Sequence, residues 1–164
     1  MTDVFSIESI LLLALAALLI GAAVSDLARF VIPNWLNISV LVLGITYQAI
    51  YGDLTMALGA GFAILIFGFI LFAFRALGGG DVKLLSATAV WVGFSGLPQF
   101  ILYTAIAGGL LSIVWLMSGR LRQFIAYCGV NIDVEVPKVI PYGIAIAGAG
   151  LLMVNRLFTT SVSV

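Results

Sequence analysis

The chain has 164 residues, with seven basic and seven acidic side chains, no histidine and one cysteine. Only 9% of residues are charged and 63% are hydrophobic, with a mean hydropathy of +1.27, whereas a soluble domain carries about 25% charged residues. This excludes a water-coated globule, the basic footprint of a nucleic-acid binder, a disulfide or thiolate metal site built on Cys128 alone, and any imidazole base or histidine-ligated metal.

The start, Met1 to Glu8, is acidic where a removable signal is basic, so the first apolar stretch reads as a retained span. A helical crossing needs about 20 apolar residues. On that measure the sequence predicts six: residues 9–24, 35–51, 55–74, 82–96, 98–118 and 141–158. The fourth has the shortest clean apolar part. Charge placement argues for it. With six crossings, Arg29, Arg75, Lys83, Arg120, Arg122 and Lys138 share one face and Arg156 alone stands on the other; without the fourth, the split falls to four against three. The six-crossing pattern obeys the positive-inside rule. It predicts an all-α polytopic membrane protein, one domain over residues 1–164, with both termini outside the cytoplasm. Gly59, Gly61, Gly108, Gly109, Gly148 and Gly150 read as helix-contact positions.

Among the acids, Asp26, Asp81, Asp133 and Glu135 fall on the basic face. Asp26 ends the first span and Asp81 opens the fourth, behind Gly78-Gly79-Gly80. Both therefore lie at similar depth on one side, and neighbouring first and fourth helices would bring them together. Two close carboxylates oppose each other's ionisation and share a proton. One then acts as general base on water while the other donates to a scissile carbonyl, without histidine or metal. Acids at helix ends also serve as caps. The glycine run allows positive φ and close backbone approach; with Lys83 it would also fit a phosphate cradle, but it lacks the GxxxxGK[ST] spacing. A small transporter using the same acids as a proton or cation site is the alternative from another class, and a non-catalytic assembly component is a third.

Gly78-Gly79-Gly80-Asp81 fits the GxGD signature, and Asp81-Val82-Lys83-Leu84 extends it. With Asp26 followed by Ile32-Pro33-Asn34, and with Pro141-Tyr142-Gly143 at the start of the last span, the chain resembles the type IV prepilin peptidases, which are membrane aspartyl proteases. The resemblance implies that Asp26 and Asp81 are the catalytic pair, supported by the loop residues Gly78 and Gly80. It implies cleavage of the leader from prepilins or pseudopilins at the cytoplasmic surface, with no cofactor or metal, and with prepilin and membrane lipid as partners. Long bacterial members carry an extra N-terminal region with a four-cysteine zinc site linked to N-methylation. These residues contain no counterpart, so the expectation is the short, peptidase-only branch found with tight-adherence (Flp-type) pili; archaeal preflagellin peptidases are also short relatives.

Asp81 at a helix N-terminus and Asp26 near a C-terminus predict that the shared proton resides mostly on Asp26. Lys83 is either a snorkelling anchor or a group stabilising the ionised pair or a peptide oxyanion. Residues 120–128 suit an interfacial helix. The alternation from Val130 to Val136 suits a strand that takes up an unwound leader by strand addition, with Asp133 and Glu135 facing its basic residues; a surface loop against headgroups is the plainer reading.

Overall fold

The computed structural model describes residues 7–127 and 140–162. The described residues form α1 (Ile7–Arg29), α2 (Asn34–Tyr51), α3 (Leu54–Ala73), α4 (Gly79–Tyr127) and α5 (Tyr142–Val162), and they contain no strand. The expected strand, with Asp133 and Glu135, lies outside the described residues. Residues up to Tyr127 continue α4 as helix, so the stretch expected to lie at the interface is helical and joined to the preceding helix.

Ile7–Arg29, Leu54–Ala73 and the stretch Gly79–Ser118 are long and apolar enough to cross a membrane, and Tyr142–Leu157 is a shorter apolar helix. Phe62 and Phe69 on α3 are each 64% exposed. A helix apolar on its outer face as well as its inner one is suited to lipid. Local chemistry sets several ends. Asp53 caps α3, its carboxylate accepting the amides of Thr55 at 3.0 Å and Met56 at 3.1 Å. Beyond α1, Phe30 has φ 54°, and its amide donates to the Asp26 carbonyl at 2.8 Å. This left-handed step turns the chain away from α1. Pro33, at φ −61°, then opens α2 with a backbone angle already suited to it.

Gly79–Ser118 would measure about 60 Å as a straight helix, twice a hydrocarbon core of about 30 Å. It is not straight. Gly93 has φ 68° and ψ 178°, a conformation essentially restricted to glycine, and Pro98 follows. The first half of α4 runs alongside α5 in the same direction: the Gly143 amide faces Asp81, and a Cβ on Gly150 would stand 3.2 Å from Thr88. The second half runs back. A Cβ on Gly96 would stand 3.1 Å from Met153, and one on Gly108 would stand 3.3 Å from Tyr142.

Gln48 braces the break. Its buried Nε2 donates to the Trp91 carbonyl at 2.7 Å, two residues before Gly93. Trp91 Nε1 donates to the Val40 carbonyl at 2.8 Å, and its ring stacks on Tyr47 at 5.0 Å. Gly93→Ala is expected to destabilise the protein by roughly 1–3 kcal/mol, the cost of forcing a side chain into this backbone region. Thermal unfolding in detergent checks it, and an unshifted midpoint would mean that the break is not held at Gly93.

α4 packs on α2, α3 and α5, while α1 packs on α5 and α2. The core joins Leu12, Leu15 and Leu19 of α1 to Val40, Leu84, Trp91 and Ile146. Among the glycines read as helix contacts, Gly61, Gly108 and Gly150 meet neighbouring helices, but Gly59, Gly109 and Gly148 have nothing within 4 Å of where a Cβ would stand. The local sequence shows a small residue but not which way it faces.

Candidate active site

Asp26 and Asp81 reach the same end of the bundle. They are 4% and 9% exposed, and both line one cavity of about 430 Å³. Their separation of 55 positions along the chain is closed by packing. α1 ends beside the start of α5, and α5 lies along the first half of α4. The Asp26 charge acts on Asp81 across this gap.

Gly143, in the first turn of α5, links them. Its amide donates to Asp26 Oδ2 at 2.7 Å and also faces the Asp81 carboxylate. A Cβ on Gly143 would lie 2.7 Å from Asp26 Oδ2 and 2.8 Å from Ile32 Cδ1, so only glycine fits without displacing the carboxylate. The expectation that the shared proton sits on Asp26 assumed that this residue sees only the end of its own helix. The fold brings the N-terminus of α5 to it as well, where a helix favours an anion, and that premise fails.

The glycine run acts by close approach alone. None of Gly78, Gly79 and Gly80 has positive φ, contrary to one use expected of them. Gly79 and Gly80 are already helical. A Cβ on Gly78 would stand 2.8 Å from Asp81 Oδ2, and the Gly78 amide faces that carboxylate. This reach back from the third helical residue is the geometry of a capping box, so Asp81 also steadies the helix that carries it. Asp81 Oδ1 is buried with no protein partner among the described residues, so this oxygen is left for a group that enters the cavity.

The connection after α1 acts as a wedge. Ile32, 6% exposed, lies against Gly80 and Gly143, the two helix starts that hold the acids. Ser25 Oγ donates to the Val31 carbonyl at 2.8 Å and closes the turn. Lys83 is exposed and lines the cavity; its Nζ donates to Asn34 Oδ1 at 2.9 Å. Asn37, one helical turn beyond Asn34, is buried, and its Nδ2 donates to the Gly80 carbonyl at 3.5 Å. Asn37 is not among the residues expected at the site. Its signal was a polar residue spaced three after Asn34 in a largely apolar helix. The Gly143 amide was also missed, since nothing in a sequence marks which residue a backbone group will meet.

The cavity continues past Asp81. A second space of about 710 Å³ shares Gly78, Asp81 and Ile140 with the first and extends to Phe72, Arg75 and Tyr142. Asp81 therefore borders both spaces.

A family model described as the type IV leader peptidase family matches residues 13–113. The match takes in Asp26, Ile32-Pro33-Asn34 and the glycine run with Asp81, and it stops before Gly143. A protein of Pectobacterium carotovorum subsp. carotovorum named prepilin leader peptidase/N-methyltransferase is 29% identical over 112 residues, 63% of this chain and 40% of its own length. Its namesake in Burkholderia pseudomallei (strain K96243) is 32% identical over 117 residues, 66% of this chain and 38% of the relative. That of Aeromonas hydrophila is 26% identical over 147 residues, 84% and 46% respectively. The chain spans less than half the length of these relatives. No solved structure matches it. With a family match that covers more than half of the chain and includes both acids, this protein belongs to the type IV leader peptidase family.

Proposed function

We propose that the chain is a membrane aspartyl endopeptidase that removes the leader peptide from type IV or Flp-type prepilins at the cytoplasmic face of the inner membrane. The observation that carries this reading is the meeting of Asp26 and Asp81 in one cavity around the Gly143 amide. The relatives' printed names supply the leader-peptide substrate.

Asp26, with its short amide hydrogen bond, is the anion, and Asp81 carries the shared proton. Asp26 takes a proton from water as the water oxygen bonds to the scissile carbonyl carbon, and Asp81 gives its proton to the carbonyl oxygen. Collapse of the tetrahedral diol breaks the C–N bond: the amine leaves with the proton held on Asp26, and a diol hydroxyl returns one to Asp81. A peptide within a helix is shielded by its own hydrogen bonds, so the cut falls where the backbone unwinds beside a hydrated cavity. Lys83 and Asn34 line that cavity and serve to orient the substrate backbone. Asp133 and Glu135 remain the groups proposed to face basic leader residues.

The reversal of α4 at Gly93 supports counting that element as two crossings, hence six in all within a single peptidase domain. Arg29, Arg75 and Lys83 stand at the end of the bundle that holds the acids, which supports a cytoplasmic site by the positive-inside rule.

Purified protein in detergent is expected to shorten a prepilin by its leader, read by mass spectrometry, while a double Asp26→Asn/Asp81→Asn variant is expected not to. Ion- or pH-coupled flux in vesicles, with no prepilin cleavage, would instead establish the transporter reading.

A further inference from the structure

α2 turns three amide side chains toward the first half of α4. Asn34 accepts from Lys83 Nζ at 2.9 Å, Asn37 donates to the Gly80 carbonyl at 3.5 Å, and Gln48 donates to the Trp91 carbonyl at 2.7 Å. Positions 34, 37 and 48 fall on one face of a helix. Gly44 lies on that side too, and a Cβ there would stand 2.6 Å from Trp91 Cδ1. The two helices therefore meet all the way from the acids to the break at Gly93.

Two of these amides have an evident use. Gln48 makes a short bond beside the break, and Asn34 is exposed at the edge of the acid cavity. Asn37 is different. It is buried, and its bond to Gly80 is long for an N–H···O contact. Its Oδ1 is also buried, with no partner among the described residues. An unpaired buried amide oxygen lowers stability, and an apolar side chain of similar size would avoid that cost. Stability alone therefore gives no reason for an amide at position 37.

The neighbour of Asn37 gives one. Gly80 immediately precedes Asp81. A Cβ on Gly80 would stand 3.4 Å from Ile32 Cβ, so the first turn of α4 meets both Ile32 and Asn37. A buried asparagine in a helix contact specifies register at a cost in stability. In another alignment its amide would lose the Gly80 carbonyl and face apolar side chains such as Ala87, which borders the same space as Asn37. The height and rotation of this turn decide where the Asp81 carboxylate stands relative to Asp26 and the Gly143 amide.

We propose that Asn37 is a positioning residue for Asp81. It fixes the register of the first turn of α4 against α2 and so keeps the second acid in its working place. The role rests on the peptidase reading and adds to it a residue that acts through Asp81 and takes no proton itself.

The test measures prepilin cleavage and thermal midpoints in detergent for three variants. Asn37→Leu is expected to lower kcat about ten-fold, the effect of a slightly misplaced reacting group, with KM within about two-fold of wild type. Its midpoint is expected at or above that of wild type, because the unpaired oxygen is gone. Asn37→Gln keeps an amide able to reach the Gly80 carbonyl and is expected to hold kcat within about three-fold of wild type. Gln48→Leu makes the same chemical change on the same face of α2, far from the acids. It is expected to show the opposite pattern, a lower midpoint with kcat within about three-fold of wild type. Wild-type kcat in Asn37→Leu would overturn the role, as would equal losses in the leucine and glutamine variants at position 37. So would a fall in midpoint for Asn37→Leu as large as that for Gln48→Leu, or a loss of kcat as large in Gln48→Leu as in Asn37→Leu. A wild-type protein that cuts no prepilin would instead remove the peptidase reading, and the positioning role with it.

Discussion

Asp26→Asn and Asp81→Asn are each expected to lower prepilin cleavage by roughly a hundred- to ten-thousand-fold, the usual worth of a positioned proton-transfer group, with the fold retained. The substitution keeps shape and one acceptor oxygen. In Asp26→Asn the remaining oxygen can still accept the Gly143 amide, now at 2.7 Å from Asp26 Oδ2. In Asp81→Asn it can still face the Gly78 amide. What is lost is the ability to take or give a proton. This separates chemistry from capping. Asp81 has a structural use at the start of α4, and a residue that acted only there would tolerate asparagine with little loss, since at the third position of a capping box an amide oxygen accepts the same backbone N–H as a carboxylate. Alanine is a poorer probe: at position 26 it would leave a buried amide unpaired, at a cost of about 1–3 kcal/mol, and confuse unfolding with inactivity. The measurement is single-turnover cleavage by mass shift, with thermal midpoints for each variant. Activity within about three-fold of wild type in either variant, against the far larger loss expected of a proton-transfer group, would take that residue out of the chemistry.

The second large effect belongs to a residue with no reactive side chain. Gly143→Ala is expected to reduce kcat/KM about a hundred-fold and to lower the thermal midpoint. The added methyl would sit 2.7 Å from Asp26 Oδ2, 3.0 Å from Asp26 Cγ and 2.8 Å from Ile32 Cδ1. None of the three can yield freely. Asp26 is held by the Gly143 amide itself, and Ile32 is wedged against Gly80. Overpacking of this kind costs about 1–3 kcal/mol, and displacing a reacting group by about 1 Å costs on the order of a hundred-fold in rate. Gly148→Ala, on the same helix with nothing within 4 Å of the new methyl, is the control and is expected to behave as wild type. If both variants match wild type in rate and midpoint, the amide of α5 does not position Asp26.

These two cases differ in how far the sequence could announce them. Asp26 and Asp81 were legible because hydropathy and charge are local properties: each acid sits at the edge of an apolar run, and the count of crossings assigns both edges to one side. The helical character of the chain and the short connection at Ile32-Pro33-Asn34 were legible for the same reason. The break in the long apolar stretch was only half legible. The charge split called for a reversal between residues 82 and 118, but the positive φ that makes it belongs to Gly93 and not to the glycine run before Asp81. Backbone angles at glycine are chosen by the surroundings, here by Gln48 reaching the Trp91 carbonyl from another helix.

The sequence by itself determined that this is a membrane-suited helical chain with two acids at one level, since composition and spacing set which residues can lie in lipid and at which edge. Only the tertiary structure decided that those acids share a cavity, that the Gly143 amide, 117 positions from Asp26, stands between them, and that Gly109 faces open space while Gly108 faces Tyr142. A hydrogen bond or a steric contact between distant segments depends on the rotation and depth of whole helices. Those are settled by the packing of all of them at once, which no local pattern records.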